Sequence, residues 1–327
     1  MKYFSMFSGI GGFEYGIGDK GECVGYSEIN KYAIQVYTNH FKHTNYGDAT
    51  KIDPRQLPDF DLLVGGFPCQ SFSIAGKRKG FDDTRGTLFF DIARILKEKR
   101  PRHLVLENVK GLLSHDSGKT FQTMLGVLSD LGYRVEWQIL NSKHFGVPQN
   151  RERIFIIGHL RGECGGEILP IGRNSVEDIG KNKVPTLPRI FQETEKLSDA
   201  FRIRDTSGNS ATLKGLGGGL GAKTGLYAIP VLTPDRINKR QNGRRFKTDG
   251  EPAFTLTGQD LHGVYDGVRI RRLTPIECER LQGFPDDWCE GLSDTQQYKC
   301  YGNAVTTNVI TAIFNKLECY IINQQQN

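Results

Sequence analysis

The chain has 327 residues, of which 37% are hydrophobic and 24% are charged. This is ordinary usage for a globular protein and excludes a disordered, fibrous or membrane-spanning chain. The formal net charge of +6 is mildly basic, which permits a polyanionic partner without requiring one. At about 150 residues per domain, the length predicts two domains.

The seven cysteines are an odd number and are scattered without a C-x-x-C pair. We therefore expect neither a zinc site nor a disulfide framework. The N-terminus runs straight into glycines without an apolar signal segment, and no stretch reaches about 18 consecutive apolar residues. These features predict a cytoplasmic protein with reduced thiols, no metal and no membrane partner.

The first 160 residues alternate short apolar runs, predicted as strands, with amphipathic segments, predicted as helices. The predicted strands are Tyr3–Phe7, Cys23–Ser27, Asp61–Gly65, His103–Leu106, Arg134–Leu140 and Ile154–Gly158, and the predicted helices are Tyr32–Phe41, Leu88–Lys97 and Phe121–Leu131. Such alternation is typical of a doubly wound, mostly parallel α/β sheet. Because no helix separates the last two strands, we expect an antiparallel hairpin at the sheet edge.

The composition changes after Arg161, because residues 165–268 are rich in Gly, Pro, Asn and Thr. This stretch predicts a smaller, loop-rich second domain. Apolar residues then recur at helical spacing over 309–321, which predicts an amphipathic helix packed on the sheet. We expect a first domain over 1–164, a second over 165–268, and a hinge with a returning C-terminal helix over 269–327.

The glycine-rich segment Phe7–Phe13 (FSGIGGF) follows the first strand and opens a helix. Glycines let the backbone turn tightly and approach a ligand closely beside a helix N-terminus. Glu28 ends the next strand, where an acid can bind ribose hydroxyls, and Asp48 follows Gly47 as a candidate adenine contact. The pattern indicates an adenosine-type cofactor, either a dinucleotide or S-adenosylmethionine. A simple tight turn is the alternative.

Two reactive side chains follow apolar strands. Cys69 lies at a glycine-flanked turn and is followed by Gln70 and two serines, a setting that favours an exposed thiol whose pKa nearby cations or helix dipoles can lower. Glu107 comes after a fully apolar run, where an acid is costly unless it has a function. In adjacent parallel strands, both would point into the crevice at the carboxyl ends. A packing cysteine and a surface glutamate are the alternatives.

Arg151 and Arg153 alternate at the entry to the last predicted strand. Alternation on a strand sends both guanidiniums to one face, where they can hold a carbonyl or a phosphate. A solvated pair of arginines is the alternative.

Together these motifs resemble the cytosine-C5 DNA methyltransferases of bacterial restriction–modification systems, and the resemblance spans nearly the whole chain. The landmarks of that family stand here in order as Phe7–Phe13 (FSGIGGF), Gly66–Ser73 (GFPCQSFS), Glu107–Val109 (ENV), Gln149–Arg153 (QNRER), Arg272–Pro285 (RLTPIECERLQGFP) and Tyr301–Val305 (YGNAV). The divergent stretch 165–268 falls where the family keeps its target recognition domain. The resemblance implies the class I S-adenosylmethionine-dependent methyltransferase fold.

The resemblance implies a mechanism in which a cytosine is flipped out of duplex DNA. Cys69 would add to C6, Glu107 would bind N3 and the 4-amino group, and Arg153 would hold O2 with support from Arg151. The methyl group would come from S-adenosyl-L-methionine, with S-adenosyl-L-homocysteine as product and without a metal. The implied cofactor contacts are Phe7, Gly9, Gly11, Gly12, Glu28, Ile29, Asp48, Leu88, Asn303 and Val305. Ile29 is a departure, because many family members have a tryptophan there that stacks on adenine.

Duplex DNA is the partner that the resemblance implies, bound by a monomer with or without a companion restriction endonuclease. Glycines on both sides of Lys77, Arg78 and Lys79 predict a hinged basic segment, and the resemblance implies that it closes over DNA. A solvated loop is the alternative. The acid-free run Arg236–Lys247 suits phosphate contact. The full set of predicted DNA contacts is Ser73, Lys77, Arg78, Lys79, Arg85, Thr212, Arg244 and Arg245. Thr212 belongs to one of two Thr-Leu pairs that match the family's recognition dipeptide; the other is Thr255-Leu256.

Three alternatives stand beside this interpretation. An RNA cytosine methyltransferase of the tRNA-modifying branch shares the Pro-Cys-Gln and Glu-Asn-Val motifs, but its own signature residues are not found in the variable stretch. A DNA-binding relative without catalysis would not need the intact catalytic positions. A nicotinamide dehydrogenase fits the glycine segment but does not explain Cys69, Glu107 and the paired arginines together.

Overall fold

A computed structural model describes residues 1–68, 88–162, 168–171, 203–204, 226–227, 229–234, 244–247, 251–258, 260–265 and 270–325. The chain forms two compact units. Unit 1 comprises residues 1–140, 152–172 and 309–327, and unit 2 comprises residues 141–151 and 173–308. These units differ from the predicted boundaries, because residues 141–151 and 269–308 belong with the variable stretch and only the end of the chain returns to unit 1.

Unit 1 is built on a six-stranded sheet. Its strands are β1 (Lys2–Met6), β2 (Glu22–Ser27), β3 (Leu62–Gly66), β4 (His103–Val109), β5 (Tyr133–Asn141) and β6 (Glu152–Leu160). They stand in the order β2-β1-β3-β4-β6-β5. The pairs β1–β2, β1–β3 and β3–β4 are parallel, whereas β6 is antiparallel to β4. The doubly wound, mostly parallel α/β sheet is confirmed, and β5 and β6 are neighbours at one edge as predicted.

The described helices longer than a single turn are, in chain order, α1 (Gly12–Ile17), α2 (Lys31–His40), α3 (Leu88–Lys99), α4 (Lys119–Asp130), α5 (Pro275–Gln282), α6 (Asp294–Asn303) and α7 (Thr307–Gln325). Within unit 1, α3 and α4 place apolar side chains against the sheet, where they join strand residues such as Phe4 and Leu104 in one core. None of the described helices has the length and hydropathy needed to cross a membrane.

The C-terminal helix α7 packs on unit 1 as the apolar spacing predicts. Thr311 donates through its hydroxyl to the carbonyl of Gly16 at 2.8 Å. The ring of Tyr320 lies 5.0 Å from that of His159 and 6.2 Å from that of His103. These histidines are register partners on β4 and β6, so the C-terminal helix packs against these two strands.

In unit 2, the helices α5 and α6 were not among the predicted elements. Thr274 and Glu277 form a reciprocal capping box at the start of α5, and Arg271 holds the Glu277 carboxylate with two hydrogen bonds of 2.8 and 2.7 Å. A three-stranded sheet in the order β11-β10-β9 contains β9 (Ile229–Leu232), β10 (His262–Tyr265) and β11 (Ile270–Arg272), and β7 (Ile203–Arg204) pairs with β8 (Leu226–Tyr227). Most of the stretch 165–268 lies outside the described residues.

A buried acid lies in α1, directly after the glycine-rich segment. Glu14 is 3% exposed, and its Oε1 accepts a hydrogen bond from the Tyr37 hydroxyl at 3.2 Å. The Tyr37 oxygen also lies 2.9 Å from Nδ1 of His43. Burial raises the pKa of Glu14 to about 7, because a carboxylate loses more hydration than a neutral carboxyl group.

We predict that Glu14→Gln removes a pH-dependent part of the stability. The folded pKa of Glu14 lies above the ordinary value of 4.5, so the folded state holds the proton more tightly. This contribution is complete below about pH 4.5 and is lost as the pH rises through about 7, at roughly 1.4 kcal/mol per pH unit. Urea unfolding of both proteins between pH 4.5 and 8 measures it. If the free energies of unfolding of the two proteins differ by the same amount at every pH in this range, the raised pKa is contradicted.

Candidate active site

The carboxyl ends of β3 and β4 lie side by side in unit 1. In their parallel register, Gly66 is the partner of Glu107. The next residue, Phe67, is 3% exposed, and its ring centroid lies 5.9 Å from that of Phe89 on α3. Asn108 donates through Nδ2 to the Phe67 carbonyl at 2.8 Å. These contacts fix the start of the segment that leads to Cys69.

Glu107 and Arg153 come together on neighbouring strands. Arg153 is the register partner of Val109 on β4, so Glu107, two residues before Val109, lies diagonally across on the same face. Nε of Arg153 is 3.0 Å from Oε1 of Glu107, and the two side chains are only 17% and 11% exposed. Nη1 of Arg153 also donates to the Glu152 carbonyl at 2.9 Å. The structure thus brings together two of the predicted catalytic residues.

This pair can recognise a polar ring. A carboxylate accepts hydrogen bonds and a guanidinium donates them, so the two groups present an acceptor and a donor side by side. Their low exposure strengthens electrostatic interactions relative to bulk water. Glu107 lies within β4 rather than at its end, because the strand continues to Val109.

A second ion pair stands next to the first and was not found from the sequence. Nζ of Lys110 lies 3.0 Å from Oε2 of Glu152, and both side chains are about half exposed, at 53% and 43%. The sequence did contain a signal for this ion pair. Lys110 directly follows the Glu-Asn-Val motif at the end of β4, and Glu152 is the first residue of β6, so opposite charges stand at the ends of two neighbouring strands.

The glycine-rich segment turns in the left-handed region and is tied to β2. Gly9 and Gly11 have φ values of +58° and +85°, and even Phe7 has a φ of +54°. The Gly9 amide donates to Oε2 of Glu28 at 2.9 Å. Oε1 of Glu28 accepts from the amides of Ile29 and Asn30 at 2.9 and 2.8 Å. Glu28 therefore joins the segment to the start of α2.

This arrangement fits an adenosine-type ligand. A Cβ placed on Gly9 would meet no atom within 4 Å, so space is open beside the turned backbone. Ile29, next to Glu28, is 71% exposed and offers an apolar surface for the adenine ring of such a ligand.

Asp48 also lies near the end of β2, because the Ser27 hydroxyl donates to the carbonyl of Gly47 at 2.7 Å. Hydrogen bonds from the Thr50 hydroxyl and amide hold the pKa of Asp48 below its usual value, which keeps it ionised as an acceptor. Leu88 is the first residue of α3 and is half-buried.

Within unit 2, Arg151 binds the protein backbone. It is 2% exposed, and its guanidinium donates to the carbonyls of Leu256, Gly302 and Ala304 at 2.7, 3.2 and 2.7 Å. A hydrogen bond from a charged donor contributes roughly 1.5–3 kcal/mol. Arg151 thus binds two segments that are distant from it in sequence, at Leu256 and at 302–304, a role that the Arg-x-Arg pattern did not indicate. Its support of Arg153 stays a prediction.

The Tyr301–Val305 motif is shaped by a close backbone approach. A Cβ on Gly302 would lie 2.3 Å from both the Gly258 nitrogen and the Thr257 carbonyl carbon, so only glycine fits at this point of α6. Asn303 ends α6, and Val305 is 8% exposed. Their predicted contact with the cofactor stays a prediction.

Two buried glutamines complete the network of unit 2. Gln149 donates to the Leu281 carbonyl at 2.9 Å and accepts from the Leu256 amide at 2.9 Å. Gln282 donates to the Tyr301 carbonyl at 2.7 Å and accepts from the Thr306 hydroxyl at 2.9 Å. The motifs at 149–153, 272–285 and 301–305 therefore share one set of hydrogen bonds.

The pair Thr255-Leu256 is part of the same network. The Thr255 hydroxyl donates to the Asn150 carbonyl at 2.6 Å, and Leu256 is 2% exposed. Nearby, Nε2 of His262 accepts from the Thr257 amide at 3.3 Å. Burial lowers the pKa of His262 to about 4, so its ring is neutral and able to accept at neutral pH.

Of the predicted phosphate contacts, Arg244 and Arg245 are described. Arg244 is held by Glu251 in a forked pair, with Nη1–Oε1 and Nη2–Oε2 distances of 3.0 and 2.5 Å. The acid-free run is therefore neutralised in part by an acid that follows it in sequence. Arg245 is partly buried. The predicted residues Cys69, Ser73, Lys77, Arg78, Lys79, Arg85 and Thr212 lie outside the described residues.

The chain is similar to known proteins over its whole length. The sequence profile of C-5 cytosine-specific DNA methylase matches residues 1–319. The chain is 40% identical to the type II methyltransferase M.NlaX of Neisseria lactamica, with 97% of this chain and 96% of that protein covered. It is 38% identical to the orphan methyltransferase M.SPRI of Bacillus phage SPR, with 99% of each covered.

Solved structures share the fold. The Dnmt2 methyltransferase of S. pombe superposes with a TM-score of 0.65 at 19% identity, with 99% of each chain covered. A putative DNA modification methyltransferase encoded within a prophage of E. coli gives a TM-score of 0.61 at 20% identity, again over 99% of each chain. The profile match and the curated relatives show that this chain belongs to the C-5 cytosine-specific DNA methylase family.

Proposed function

We propose that this chain is a DNA (cytosine-5-)-methyltransferase that transfers a methyl group from S-adenosyl-L-methionine to C5 of cytosine in a specific duplex sequence. The observation that carries the proposal is the Glu107–Arg153 pair, whose Oε1 and Nε atoms are 3.0 Å apart. Glu107 lies on β4, directly beside the end of β3, from which the chain leads to Cys69. Membership of the family supports the reaction type.

The pair Glu107–Arg153 suits the edge of a cytosine. The Glu107 carboxylate would accept from the 4-amino group and from N3 once it is protonated, and the Arg153 guanidinium would donate to O2. C5 and C6 are unreachable in a stacked duplex, so the base would first be flipped out. Preorganised charges of this kind stabilise the charge that develops on the ring during attack.

Cys69 supplies the nucleophile in this proposal. Its thiolate would form a bond to C6, and the electrons of the C5–C6 double bond would move towards N3, where Glu107 is hydrogen-bonded. C5 then acts as an enamine-like carbon and takes the methyl group. Loss of the C5 proton restores the double bond and breaks the bond to sulfur, which returns the thiolate.

The cofactor would lie against unit 1. S-adenosylmethionine supplies an electrophilic methyl group. The turned backbone at Gly9 would allow close approach, and the exposed Ile29 would cover one face of the adenine. Glu28 already accepts from three amides, and its remaining lone pair would accept from a ribose hydroxyl. An isoleucine offers less stacking than the tryptophan of many family members, so weaker cofactor binding is expected.

A role in restriction–modification follows from the relatives. M.NlaX is named a type II methyltransferase, and M.SPRI is named an orphan methyltransferase. We propose that this chain acts as a monomer on duplex DNA and protects it by methylation. The proposal includes no bound endonuclease.

The first prediction concerns the nucleophile. On duplex DNA with 5-fluorocytosine at the target, the adduct through Cys69 should persist under denaturing conditions, because fluorine cannot leave C5 as a cation. Cys69→Ser should abolish the adduct, since a hydroxyl is a far weaker nucleophile at neutral pH. Cys319→Ser, at an exposed cysteine, is the matched control and should form it normally. An adduct in Cys69→Ser would refute the assignment.

The second prediction concerns Glu107. Glu107→Gln keeps the shape but loses the negative charge opposite Arg153. Turnover should therefore fall by about 10²–10³, the effect of one preorganised electrostatic contact, whereas DNA affinity should change by only a few-fold. Single-turnover methyl transfer and DNA titration measure the two effects. Glu318→Gln, at a half-exposed carboxylate of α7, serves as the control. Unchanged turnover in Glu107→Gln would show that Glu107 has a structural role and not a catalytic one.

The third prediction concerns the forked pair Arg244–Glu251. If Arg244 exchanges Glu251 for a DNA phosphate, Arg244→Ala should lower the slope of log K against log salt by about one. Glu251→Gln should raise the affinity for non-cognate duplex by up to about fivefold, because a surface ion pair contributes at most about 1 kcal/mol. Affinities at several salt concentrations test this. If the slope stays constant while the methylated sequence broadens, Arg244 reads bases instead.

A further inference from the structure

The glycine-rich segment leads into a helix that holds a buried acid to which the proposed chemistry assigns no role. Glu14 of α1 is 3% exposed and follows Gly11, the N-cap of that helix, by three residues. Its Oε1 accepts from the Tyr37 hydroxyl, whereas Oε2 has no hydrogen-bond partner in the described part of the chain. The buried hydroxyls of Ser5 and Ser8 also lack one among those residues. An ionised carboxylate with a buried, unpartnered oxygen is unfavourable, so these surroundings favour the protonated carboxyl.

The described groups that face Glu14 carry no positive charge at neutral pH. The acidic side chains that act on it from β1, β2 and α2 are Tyr3, Cys23, Tyr26 and Tyr37. Burial raises the pKa of all four, so they are neutral. Burial lowers the pKa of His43, whose Nδ1 lies 2.9 Å from the Tyr37 oxygen, so this ring is uncharged as well. From α7, the uncharged Thr311 contacts α1. The charge that remains is that of Glu28, which raises the pKa of Glu14 by repulsion.

Glu28 connects the buried acid with the proposed cofactor site. Its Oε2 accepts from the Gly9 amide at 2.9 Å, and the cofactor is proposed to lie beside Gly9 with a ribose hydroxyl on Glu28. The charge of Glu28 acts on Glu14, and a charged ligand bound at Glu28 therefore acts on it too. Such interactions are screened less in a protein interior than in water.

The two forms of the proposed cofactor differ in charge. S-adenosyl-L-methionine has a carboxylate, an ammonium and a sulfonium group, which together give a net positive charge. Loss of the methyl group turns the sulfonium into a thioether, so S-adenosyl-L-homocysteine has no net charge. A nearby positive charge lowers the pKa of a carboxyl group, whereas a neutral ligand does not. The substrate therefore favours the ionised form of Glu14 more than the product does.

We propose that Glu14 makes the cofactor site selective for the positively charged S-adenosyl-L-methionine over its uncharged product: the carboxyl releases its proton to solvent when the charged cofactor binds and keeps it when the product is bound. This inference rests on the proposed cofactor. Tyr37 and the partly exposed His43 form a hydrogen-bonded path from the carboxyl towards the surface. By linkage, a rise in pH strengthens the binding of the ligand that displaces the proton.

The first measurement is the pH dependence of the two affinities, by calorimetric titration in the absence of DNA. The pKa of Glu14 is about 7 in the free protein, and we expect the charged cofactor to lower it by about one unit. The Kd of the product divided by the Kd of the substrate should then rise by about fourfold between pH 5.5 and 7.0. Both ligands keep their amino groups largely protonated over this range. In Glu14→Gln the ratio should stay constant.

The second measurement counts the protons that binding releases. Titrations at pH 6.5 in buffers of different ionisation enthalpy should show about half a proton released for each bound S-adenosyl-L-methionine, and close to none for S-adenosyl-L-homocysteine. In Glu14→Gln the two ligands should give equal counts. Glu22→Gln, at an exposed acid of β2, is the matched control because it removes one negative charge from the same unit, and it should behave as the wild type.

Tyr37→Phe provides a second variant if Glu14→Gln does not fold. It removes the hydrogen bond that lowers the pKa of Glu14, so the rise in the affinity ratio should move to a higher pH. A purely structural role of Glu14 would leave the position of this rise unchanged, and that result would overturn the inference.

The outcomes separate this inference from the proposed function. If the wild type binds neither ligand, the proposed cofactor and the inference both fail. If both ligands bind with an affinity ratio that is constant with pH, or if the ratio of Glu14→Gln varies as that of the wild type does, the inference alone fails. An equal loss of pH dependence in Glu22→Gln would also overturn it, because a general change of charge would then explain the effect.

Discussion

The register of β4 against its two neighbours is the constraint on which the candidate site depends. Parallel pairing with β3 sets Gly66 beside Glu107, and antiparallel pairing with β6 sets Arg153 beside Val109. Side chains alternate across a sheet, so a slip of one residue would turn Glu107 to the opposite face. Its carboxylate would then lack Arg153 and be buried without a counter-charge, which is strongly unfavourable. The packing of unit 1 therefore fixes the strand register, and with it the pairing of Glu107 with Arg153.

Unit 2 is organised by buried hydrogen bonds from side chains to the backbone rather than by strand register. Segments more than a hundred residues apart meet around the Arg151 guanidinium, which binds three carbonyls, and around the amide of Gln149. A buried polar network of this kind is costly when it is incomplete, and so it specifies one arrangement of the backbone. Gly302 adds a steric condition, because no Cβ fits against Thr257 and Gly258. Several motif residues thus shape the backbone rather than touch a ligand.

The sequence allowed the sheet, the crossover helices and α7 to be predicted, because period-2 and period-3.6 apolar patterns are local signals. That Glu107 and Arg153 act on one ring was implied only by the resemblance to the family. The helix α5 was missed because two buried acids, Glu277 and Glu279, interrupt its apolar pattern. The helix α6 was missed because its buried residues are confined to its last turn, at 300–302. The binding of carbonyls by Arg151 and Asn108, and the pairing of Arg244 with Glu251, depend on tertiary contacts that no local pattern encodes. For the same reason the predicted boundaries omitted residues 141–151 from the second unit.

The activity proposed for this chain is the methylation of C5 of cytosine in duplex DNA. Bisulfite sequencing of total DNA and tRNA from a host that expresses the chain tests it most directly, because only C5-methylated cytosines resist conversion. We predict that one cytosine within a short, fixed DNA sequence is protected throughout the genome and that this protection is absent with Cys69→Ser. Uniform conversion of the DNA in cells that contain the folded protein, or protection confined to tRNA, would contradict it.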